Sequence, residues 1–414
     1  MSSTVILGAG IIGVSTASYL SKHQPTSSIH LVEPSPELFA SASGFAGGFL
    51  AKDWFSAGVA ELGALSFEEH RKLAEKEDGA RRWRYSSSTS ISLSPPSKSK
   101  KKAAVWRSEG SSRAEAASGD RSQGIAPPWL WREEGDSVEA IGEEGTVAQV
   151  EPLQLSQFLL KKCIDAGVRL HHPAKVISVE TDVRNELSSV CIADTQSSTE
   201  TDVPCTNIII TAGAWSPRVF KALFPRSTLD LPVSALAGHS LVVKSPRWTE
   251  AHEAHEPHGT HAIFMAGRGG YSPEIFSRLG GHIYIAGLNS ASEPLPDLAT
   301  ECRGNISQAA VRTLRDTARE VLGQGQAEDD LEVVREGLCF RPVTKNGTPI
   351  ISRIPDAALG AGINTRPGAE GGVYLAAGHG PWGISLSLGT GKVLAEMVQG
   401  RKLSVDVSSL ELDI

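Results

Sequence analysis

The stretch TVILGAGIIG, residues 4–13, decides the fold that the sequence predicts. Apolar residues lead into Gly8, Gly10 and Gly13, which have the spacing G-x-G-x-x-G. We expect a short buried strand over residues 4–7, followed by a tight turn. In such a turn the first glycine permits the bend, the second lets a pyrophosphate approach the backbone, and the third lets a helix pack on the strand. The stretch therefore predicts a dinucleotide-binding turn.

The following helix and strand complete the motif. Residues 11–22 are predicted as a helix, whose first residues Ile11 and Ile12 present free N–H groups and the positive end of the helix dipole to phosphates. Residues 28–32 are predicted as the next strand, which ends at Glu33, 20 residues after the last glycine. A carboxylate at this point accepts hydrogen bonds from ribose hydroxyls and disfavours a 2′-phosphate. The motif alone does not separate NAD from FAD.

Composition bounds the class of protein. The 414 residues suit two domains better than one simple core. A net charge of -7 gives no basic surface for nucleic acid, and no apolar run reaches the length of a membrane span. The five scattered cysteines form no metal-binding spacing, which favours a reducing compartment and no metal site. Because the first strand begins at residue 4, no room is left for a cleaved presequence, and we expect a cytoplasmic protein.

Residues 86–124 break the globular pattern. This stretch is rich in Ser, Lys, Ala and Gly, and large apolar residues become rare after Leu93. A segment of this composition buries too little surface to offset its ordering entropy. We therefore predict a disordered surface insertion. The alternative, a basic docking tag formed by the four lysines within residues 98–102, stays open.

The chain does not continue with strand–helix–strand units after Glu33, as a nicotinamide dehydrogenase would. It enters SASGFAGGFLAKDW, residues 41–54, and further strands of the nucleotide-binding type return only much later. This discontinuity favours FAD over NAD.

Four blocks of the sequence resemble the FAD-dependent oxidoreductases of the D-amino-acid oxidase group, which includes glycine oxidase and sarcosine oxidase. They are ILGAGIIG with LVEP, then SASGFAGGFLA, then IIITAGAWSP, and finally CFRPVTKNGTPII followed by YLAAGHGPWGISLSLGTGK. Within the group, GGFLAKDW and YSPEIFSRLGGHIYIAG are similar to stretches of fungal oxidoreductases, some of them linked to trafficking.

The resemblance implies an α/β fold with two domains. The first is a discontinuous, Rossmann-type FAD-binding domain, and the second is a β-rich substrate domain of α+β type. We expect the FAD-binding domain in residues 1–55, 147–216 and 336–414, and the substrate domain in residues 56–146 and 217–335.

The resemblance also implies which residues contact FAD. The Gly-rich loop after VYLAAGHG would let backbone approach a flat ring, and N–H groups at the start of the next helix favour the anionic reduced flavin. The expected cofactor-binding residues are Gly8, Gly10, Ile11, Ile12, Gly13, Glu33, Ser41, Ser43, Gly44, Gly47, Gly48, Val176, Ala212, Gly213, Trp215, Cys339, Gly378, His379, Gly380, Gly383 and Ile384.

Arg341 is the candidate for substrate binding. In glycine oxidase-like members, an arginine at the matching point grips the substrate carboxylate, and a planar guanidinium suits that task because two parallel hydrogen bonds fix the orientation. The alternative is an arginine in a structural ion pair. His379 and Trp382 lie in the block beside the flavin and are the other expected catalytic residues, with core packing as the alternative for the tryptophan.

Two features of the sequence match the patterns of different members of this group of oxidoreductases. Cys339 matches the cysteine that carries covalent flavin in sarcosine oxidase-like members, but arginine-bearing members generally lack that bond, so we expect an unlinked buried cysteine. Sarcosine oxidase also has an oxygen-activating lysine on a substrate-domain strand. The counterpart here, GHIYIAG at residues 281–287, contains no lysine. Whether oxygen or another compound accepts the electrons therefore stays open.

The sequence as a whole predicts an FAD-dependent oxidoreductase that oxidises the C–N bond of a small amine or amino acid by hydride transfer to flavin. The alternatives are oxidation of a 2-hydroxy acid, and a flavoprotein with little turnover and a trafficking role of the endosome-to-Golgi type, which would associate with endosomes. We expect a small-molecule substrate as the partner, without nucleic acid or a membrane span. The protein is expected to be a monomer or small homo-oligomer.

Overall fold

The helices and strands were assigned in a computed structural model, which describes residues 3–94, 113–117, 122–265, 270–323, 329–360 and 362–413. Within these ranges the helices are α1 Ile11–Leu20, α2 Ala42–Phe45, α3 Ala57–Glu77, α4 Gly79–Trp83, α5 Pro152–Asp165, α6 Ser216–Leu223, α7 Glu250–Glu253, α8 Gln308–Leu322 and α9 Gly383–Val398. The strands are β1 Thr4–Leu7, β2 Ile29–Val32, β3 Phe49–Ala51, β4 Ser86–Ser94, β5 Ser122–Gln123, β6 Ser137–Ala140, β7 Val147–Gln149, β8 Arg169–His171, β9 Ala174–Thr181, β10 Leu187–Asp194, β11 Glu200–Pro204, β12 Asn207–Ile210, β13 Ser234–Lys244, β14 Thr260–Met265, β15 Glu274–Arg278, β16 His282–Ser290, β17 Glu332–Val343, β18 Ile350–Ile354 and β19 Gly372–Ala377. None of the helices in the described ranges is long and apolar enough to cross a membrane.

A six-stranded sheet in the order β18-β19-β12-β1-β2-β8 forms the centre of the nucleotide half. Strand β1 lies between β12 and β2 and is parallel to both, which is the arrangement that helical crossovers produce. Its four residues are buried, which agrees with an almost unbroken run of apolar and β-branched side chains. The predicted α/β fold of Rossmann type is confirmed.

Two layers cover this central sheet. On one face, Ile6 and Ile209 share a core with helices α1, α5 and α9. On the other face, Val5, Leu7 and Ile208 pack against α6 and a three-stranded sheet of β9, β10 and β11. Successive residues of each strand therefore serve different layers, as the two-residue period of a strand requires.

A second sheet, in the order β17-β13-β16-β15-β14-β4-β6-β5, forms the predicted β-rich half. One face carries Phe264 and Phe276, which share a core with the nucleotide half. The opposite face carries Ile263 and Ile275, which pack with α8. Since β17 belongs to this sheet, residues 336–343, which we expected in the FAD-binding domain, lie in the substrate half.

The prediction of a disordered insertion over residues 86–124 is wrong at its start. Strand β4 covers Ser86–Ser94 and pairs in parallel with β14. Its residues Ile91 and Leu93 are buried in the core of the second sheet. The alternation of serine with apolar residues is a strand pattern, which the serine-rich composition of the whole stretch conceals.

A second part of the same stretch is also ordered. Residues Arg113–Ala116 form a short helical turn, and Arg113 is 9% exposed. The lysines at residues 98–102, considered as a docking tag, lie outside the described residues.

Helices α3 and α4 also change the predicted domain boundary, because we expected residues 56–146 in the substrate domain. Ser66 on α3 donates a hydrogen bond to the Ser385 carbonyl at 2.6 Å and accepts one from the Gly389 amide at 3.0 Å, both on α9. A Cβ added at Gly389 would meet the Ser66 Cβ at 2.8 Å, so the glycine permits this close contact. We therefore place residues 56–83 with the nucleotide half.

The buried His70, at the same helix–helix contact, is expected to make the stability of the protein depend on pH. Its Nε2 lies 3.0 Å from the Ile384 carbonyl oxygen, and burial lowers the pKa of His70 to about 4. Since the unfolded state binds the proton more readily between that pKa and about 6.5, this residue makes the free energy of unfolding fall as the pH decreases through that window. We expect a loss of about 2 kcal/mol between pH 7 and pH 5 from His70 alone.

Urea denaturation of wild type and His70→Gln at both pH values measures this effect. The glutamine can still donate to the carbonyl but carries no titrating group, so the variant should lose less stability on acidification. His258→Gln, at an exposed position, is the matched control. Equal pH slopes for wild type and His70→Gln would refute the assignment.

Candidate nucleotide and substrate site

A cavity of about 580 Å³ is lined by residues of both halves. Most of the side chains and glycines that the sequence singled out lie on its wall. Those that line it are Gly8, Gly10, Ile11, Ile12, Glu33, Ser41, Ser43, Gly47, Gly48, Val176, Ala212, Gly213, Trp215, Cys339, Arg341, His379, Gly380, Gly383 and Ile384. Gly13, Gly44, Gly378 and Trp382 are not among the lining residues.

The turn after β1 has the geometry of a nucleotide-binding turn. Gly8 has a φ of +103°, which residues with a side chain rarely adopt. A Cβ at Gly13 would overlap the carbonyl oxygen of Gly8, so this glycine serves the site by letting α1 pack on the turn. At Gly10, which faces the cavity, an added Cβ would meet the Ser43 Oγ at 3.1 Å. The backbone next to Gly10 is thus open to a ligand.

Glu33 lies at the end of β2, on the cavity wall. Its Oε2 accepts a hydrogen bond from the Ala9 amide at 3.0 Å, and its Oε1 accepts one from the Ser35 amide at 3.0 Å. Burial raises the pKa of Glu33, and the two amide hydrogen bonds oppose that shift. Each carboxylate oxygen keeps a second lone pair, so Glu33 can also accept from ribose hydroxyls.

Hydrogen bonds from both halves hold the small-residue stretch 41–48 in place. The Ser43 Oγ accepts a hydrogen bond from the Ile11 amide at 2.9 Å, which ties the stretch to the glycine turn. From the second sheet, buried Arg278 donates to the carbonyls of Gly47 at 2.6 Å and Ala46 at 2.7 Å. Arg278 is not predictable from the sequence, since nothing in the local pattern of β15 distinguishes it from a surface arginine.

Arg341 lies on β17, and its partner Asn289 reaches the same wall because of an irregularity in β16. The pairing of β13 with β16 shifts register between Gly238 and Ser240, next to Gly287, which has a φ of +126°. A bulge of this kind redirects the residues beyond it. The Arg341 Nη1 donates to the Asn289 Oδ1 at 2.6 Å, which orients the guanidinium.

Arg341 stays cationic in this environment. Burial acts to lower the pKa of Arg341, but interactions with Cys339, Tyr284 and Glu274 act more strongly in the other direction, and its pKa is raised. Burial raises the pKa of Cys339, so that side chain is a neutral thiol. Arg341 therefore presents a fixed positive charge to the cavity, beside the neutral thiol of Cys339.

An ion pair between Arg113 and Glu274, neither of which was expected at the site, also lines the cavity. The Arg113 Nε lies 2.6 Å from the Glu274 Oε1, and its Nη2 lies 2.7 Å from the Oε2. Arg113 is held in this position by Glu274, which is far away in the chain. The composition around Arg113 indicated disorder, so no local signal marked the pair.

The remaining predicted catalytic residues have other surroundings. The His379 Nε2 lies 3.1 Å from the Thr390 Oγ1 on α9, and burial lowers the pKa of His379 to about 4, so the imidazole is neutral. Trp382 packs among Phe49 and Phe55, with ring centroids 6.5 and 5.0 Å away. This packing agrees with the alternative considered for the tryptophan.

Gly44 and Gly378 shape the backbone near the site. A Cβ at Gly44 would overlap the Phe39 carbonyl oxygen, and Gly378 has a φ of +79° where the chain leaves β19. Among the described residues that line the cavity, Lys175, next to Val176, is the one lysine. The wall formed by β16 carries none, in agreement with its sequence.

The parts of the cavity fit FAD. The glycine turn and Glu33 suit the adenosine diphosphate portion, and the glycine loop after β19, together with the stretch 41–48, offers close backbone approach to a flat ring. On binding, FAD would be held by the turn at Gly8 and Gly10, by Glu33, and by residues around Gly380.

Comparisons with known proteins agree with this geometry. A Schizosaccharomyces pombe protein named as an oxidoreductase is 25% identical over 434 residues, with 99% of this chain and 96% of that protein covered. A Saccharomyces cerevisiae protein with the same kind of name is 23% identical over 527 residues, covering 98% and 93%. Glycine oxidase from Geobacillus kaustophilus superposes with a TM-score of 0.68 at 18% identity, covering 99% and 98%. Residues 3–397 match the family described as FAD dependent oxidoreductase, DAO, and the chain therefore belongs to that family of FAD-dependent oxidoreductases.

Proposed function

We propose that this FAD-dependent oxidoreductase oxidises the C–N bond of a small amino acid or N-substituted amino acid. The observation that carries the proposal is Arg341, a cation on the wall of the cavity whose direction is set by Asn289. A guanidinium fork matches a carboxylate through two parallel hydrogen bonds. A substrate held in this way has its α-carbon and nitrogen fixed relative to the cavity wall.

The chemistry divides between cofactor and chain. FAD, when bound, would supply the hydride acceptor. A substrate that loses a hydride from its carbon and a proton from its nitrogen becomes an imine, which adds water to give a carbonyl compound and ammonia or a free amine. The residues of this chain bind and orient the substrate. Arg341 holds the carboxylate, and the stacked rings of Phe49, Phe276 and Tyr284, of which Phe49 and Tyr284 line the cavity, exclude water from one side. Positioning and fixed charges of this kind account for much of enzymatic rate enhancement.

Anaerobic mixing of the purified holoprotein with candidate substrates tests the proposal. The panel contains D- and L-amino acids, N-methyl amino acids, the matched 2-hydroxy acids and the matched amines without a carboxylate. We expect at least one amino acid to bleach the flavin absorbance, and the amine without a carboxylate to bleach it far more slowly. Bleaching by 2-hydroxy acids alone, or by no compound, would overturn the proposal.

Cys339 is expected to leave the flavin unlinked. Burial keeps the side chain as a thiol, and the thiolate is the nucleophile that covalent attachment needs. Acid precipitation of the holoprotein should therefore release yellow FAD into the supernatant. Colour that stays with the precipitate of wild type, and leaves it in Cys339→Ser, would show a covalent bond.

A further inference from the structure

The Arg113–Glu274 pair is built into the wall of the cavity rather than onto the surface. Both side chains line the cavity, and they are 10% and 14% exposed. The Arg113 Nη1 also donates to the Pro381 carbonyl at 3.3 Å, in the loop that follows Gly380. The guanidinium is thus fixed at three of its nitrogens.

Aromatic rings hold Arg113 further. Its Cζ lies 5.1 Å from the ring centroid of Trp382, 5.5 Å from that of Phe276, 5.7 Å from that of Phe264 and 5.8 Å from that of Phe49. Attraction between a cation and ring faces at such distances favours one position of the guanidinium. Through its two hydrogen bonds, Arg113 therefore fixes the direction of the Glu274 carboxylate.

Glu274 shares a face of the second sheet with the carboxylate-binding group. It pairs with Ala286 on β16, Ala286 pairs with Ser240 on β13, and Ser240 pairs with Gly337 on β17. Gly337 and Arg341 are separated by an even number of residues on that strand, so their side-chain positions point to the same side. The cavity wall thus carries a carboxylate and a guanidinium on one surface.

The charges suit an α-amino acid. Arg113 and Glu274 balance each other, which leaves the charge of Arg341 for the substrate carboxylate. Each Glu274 oxygen uses one lone pair for Arg113 and retains another. A carboxylate oxygen with a free lone pair can accept a hydrogen bond from the N–H group of an amine, whereas a simple carboxylate ligand has no donor to supply that bond.

We propose that Glu274 accepts a hydrogen bond from the substrate amine and that Arg113 is the positioning residue that aims it. The pair and Arg341 together then select compounds that carry an amine and a carboxylate on neighbouring atoms. This inference rests on the proposed function, because it names a second contact of the same substrate.

Binding measurements with Glu274→Gln separate the two contacts. The ligands are an amino acid that bleaches the wild-type flavin and the simple carboxylic acid of the same length, which lacks the amine. Flavin absorbance under anaerobic conditions gives the Kd of the carboxylic acid. For the amino acid, the same absorbance gives the concentration dependence of flavin reduction. We expect the affinity for the amino acid to fall by about tenfold, since the charged acceptor is replaced by a neutral amide oxygen, which makes a weaker hydrogen bond to the amine. The affinity for the carboxylic acid should change by less than about twofold, because Arg341 is intact.

Four further variants complete the test. Glu332→Gln, at an exposed glutamate on β17 that pairs with Lys244, is the matched control and should behave as wild type. If Glu274→Gln fails to fold because Arg113 is left unpaired, the double variant Arg113→Met/Glu274→Leu removes both charges and should show the same selective loss. Arg113→Lys keeps the charge without the fork, and should recover part of the amino acid affinity that Arg113→Met loses.

The outcomes distinguish this inference from the proposed function. If wild type is bleached by an amino acid and Glu274→Gln retains its affinity for that compound, Glu274 does not contact the amine. Equal losses for the amino acid and the carboxylic acid would make the pair merely structural and also overturn the inference. If no amino acid bleaches wild type, the proposed function itself fails, and this inference fails with it.

Discussion

Replacing Gly10 by valine is expected to give a folded, colourless protein that contains less than about a tenth of the wild-type FAD. The residue has a φ of -69°, which any side chain tolerates, and an added Cβ meets the Ser43 Oγ at 3.1 Å rather than backbone. The branched methyl groups would occupy the space where the pyrophosphate approaches Gly10. The loss should therefore affect the cofactor far more than the fold, in contrast to substitutions at Gly8 or Gly13.

The measurement is the flavin-to-protein absorbance ratio, with circular dichroism to report folding. Gly304→Val is the matched control, because Gly304 is exposed and an added Cβ there meets nothing within 4 Å. A Gly10→Val protein that retains FAD in wild-type amount would show that the pyrophosphate does not pass this residue.

Replacing Arg341 by leucine is expected to lower the second-order rate constant of flavin reduction by at least about tenfold with an amino acid. The substitution removes two charged hydrogen bonds and leaves the substrate carboxylate without a counter-charge, and about 1.4 kcal/mol already corresponds to tenfold. FAD content should stay at the wild-type level, because Arg341 lies on β17 and not on the glycine turn that would hold the pyrophosphate.

Two further variants accompany this measurement. Arg341→Lys should recover only part of the rate, since one ammonium does not reproduce the fork that Asn289 orients. Arg315→Leu, at a half-exposed arginine that pairs with Asp329, should reduce as fast as wild type. If Arg341→Leu also reduces at the wild-type rate, Arg341 has a structural role, and the substrate needs no carboxylate.

The nucleotide part of the site could be predicted from the sequence because its signals are local. The spacing of Gly8, Gly10 and Gly13 and the distance to Glu33 describe one strand–turn–helix–strand unit, and all four residues lie where that unit requires. Such turns need backbone conformations and close contacts that favour glycine, so the residue type itself indicates the turn. The glycine loop around Gly380 was predictable for the same reason.

The surroundings of Arg341 could be predicted from the sequence only in part. Arg341 stands in a block that resembles the family, but Asn289 reaches it through a bulge in β16 that no local pattern indicates. Arg113 and Glu274 come together from positions 161 residues apart in the chain. A pairing over that distance depends on the tertiary fold, and the composition around Arg113 indicated disorder instead.

Trp382 and helix α3 show a different limit. An aromatic residue in a block beside a cofactor has the same sequence signal whether it faces a ligand or the core, and Trp382 packs among other rings. Helix α3 follows the small-residue stretch directly, so sequence order suggested the substrate half. Its contacts with α9, through Ser66, place it with the nucleotide half instead.

Single-turnover product analysis tests the central claim most directly. The holoprotein is mixed without oxygen with an amino acid that bleaches its flavin, and the solution is assayed for carbonyl compound and released amine. The proposed C–N oxidation predicts both products in amounts equal to the flavin reduced. Flavin bleached without a carbonyl product, or flavin that stays oxidised with every amino acid and N-methyl amino acid, would contradict it.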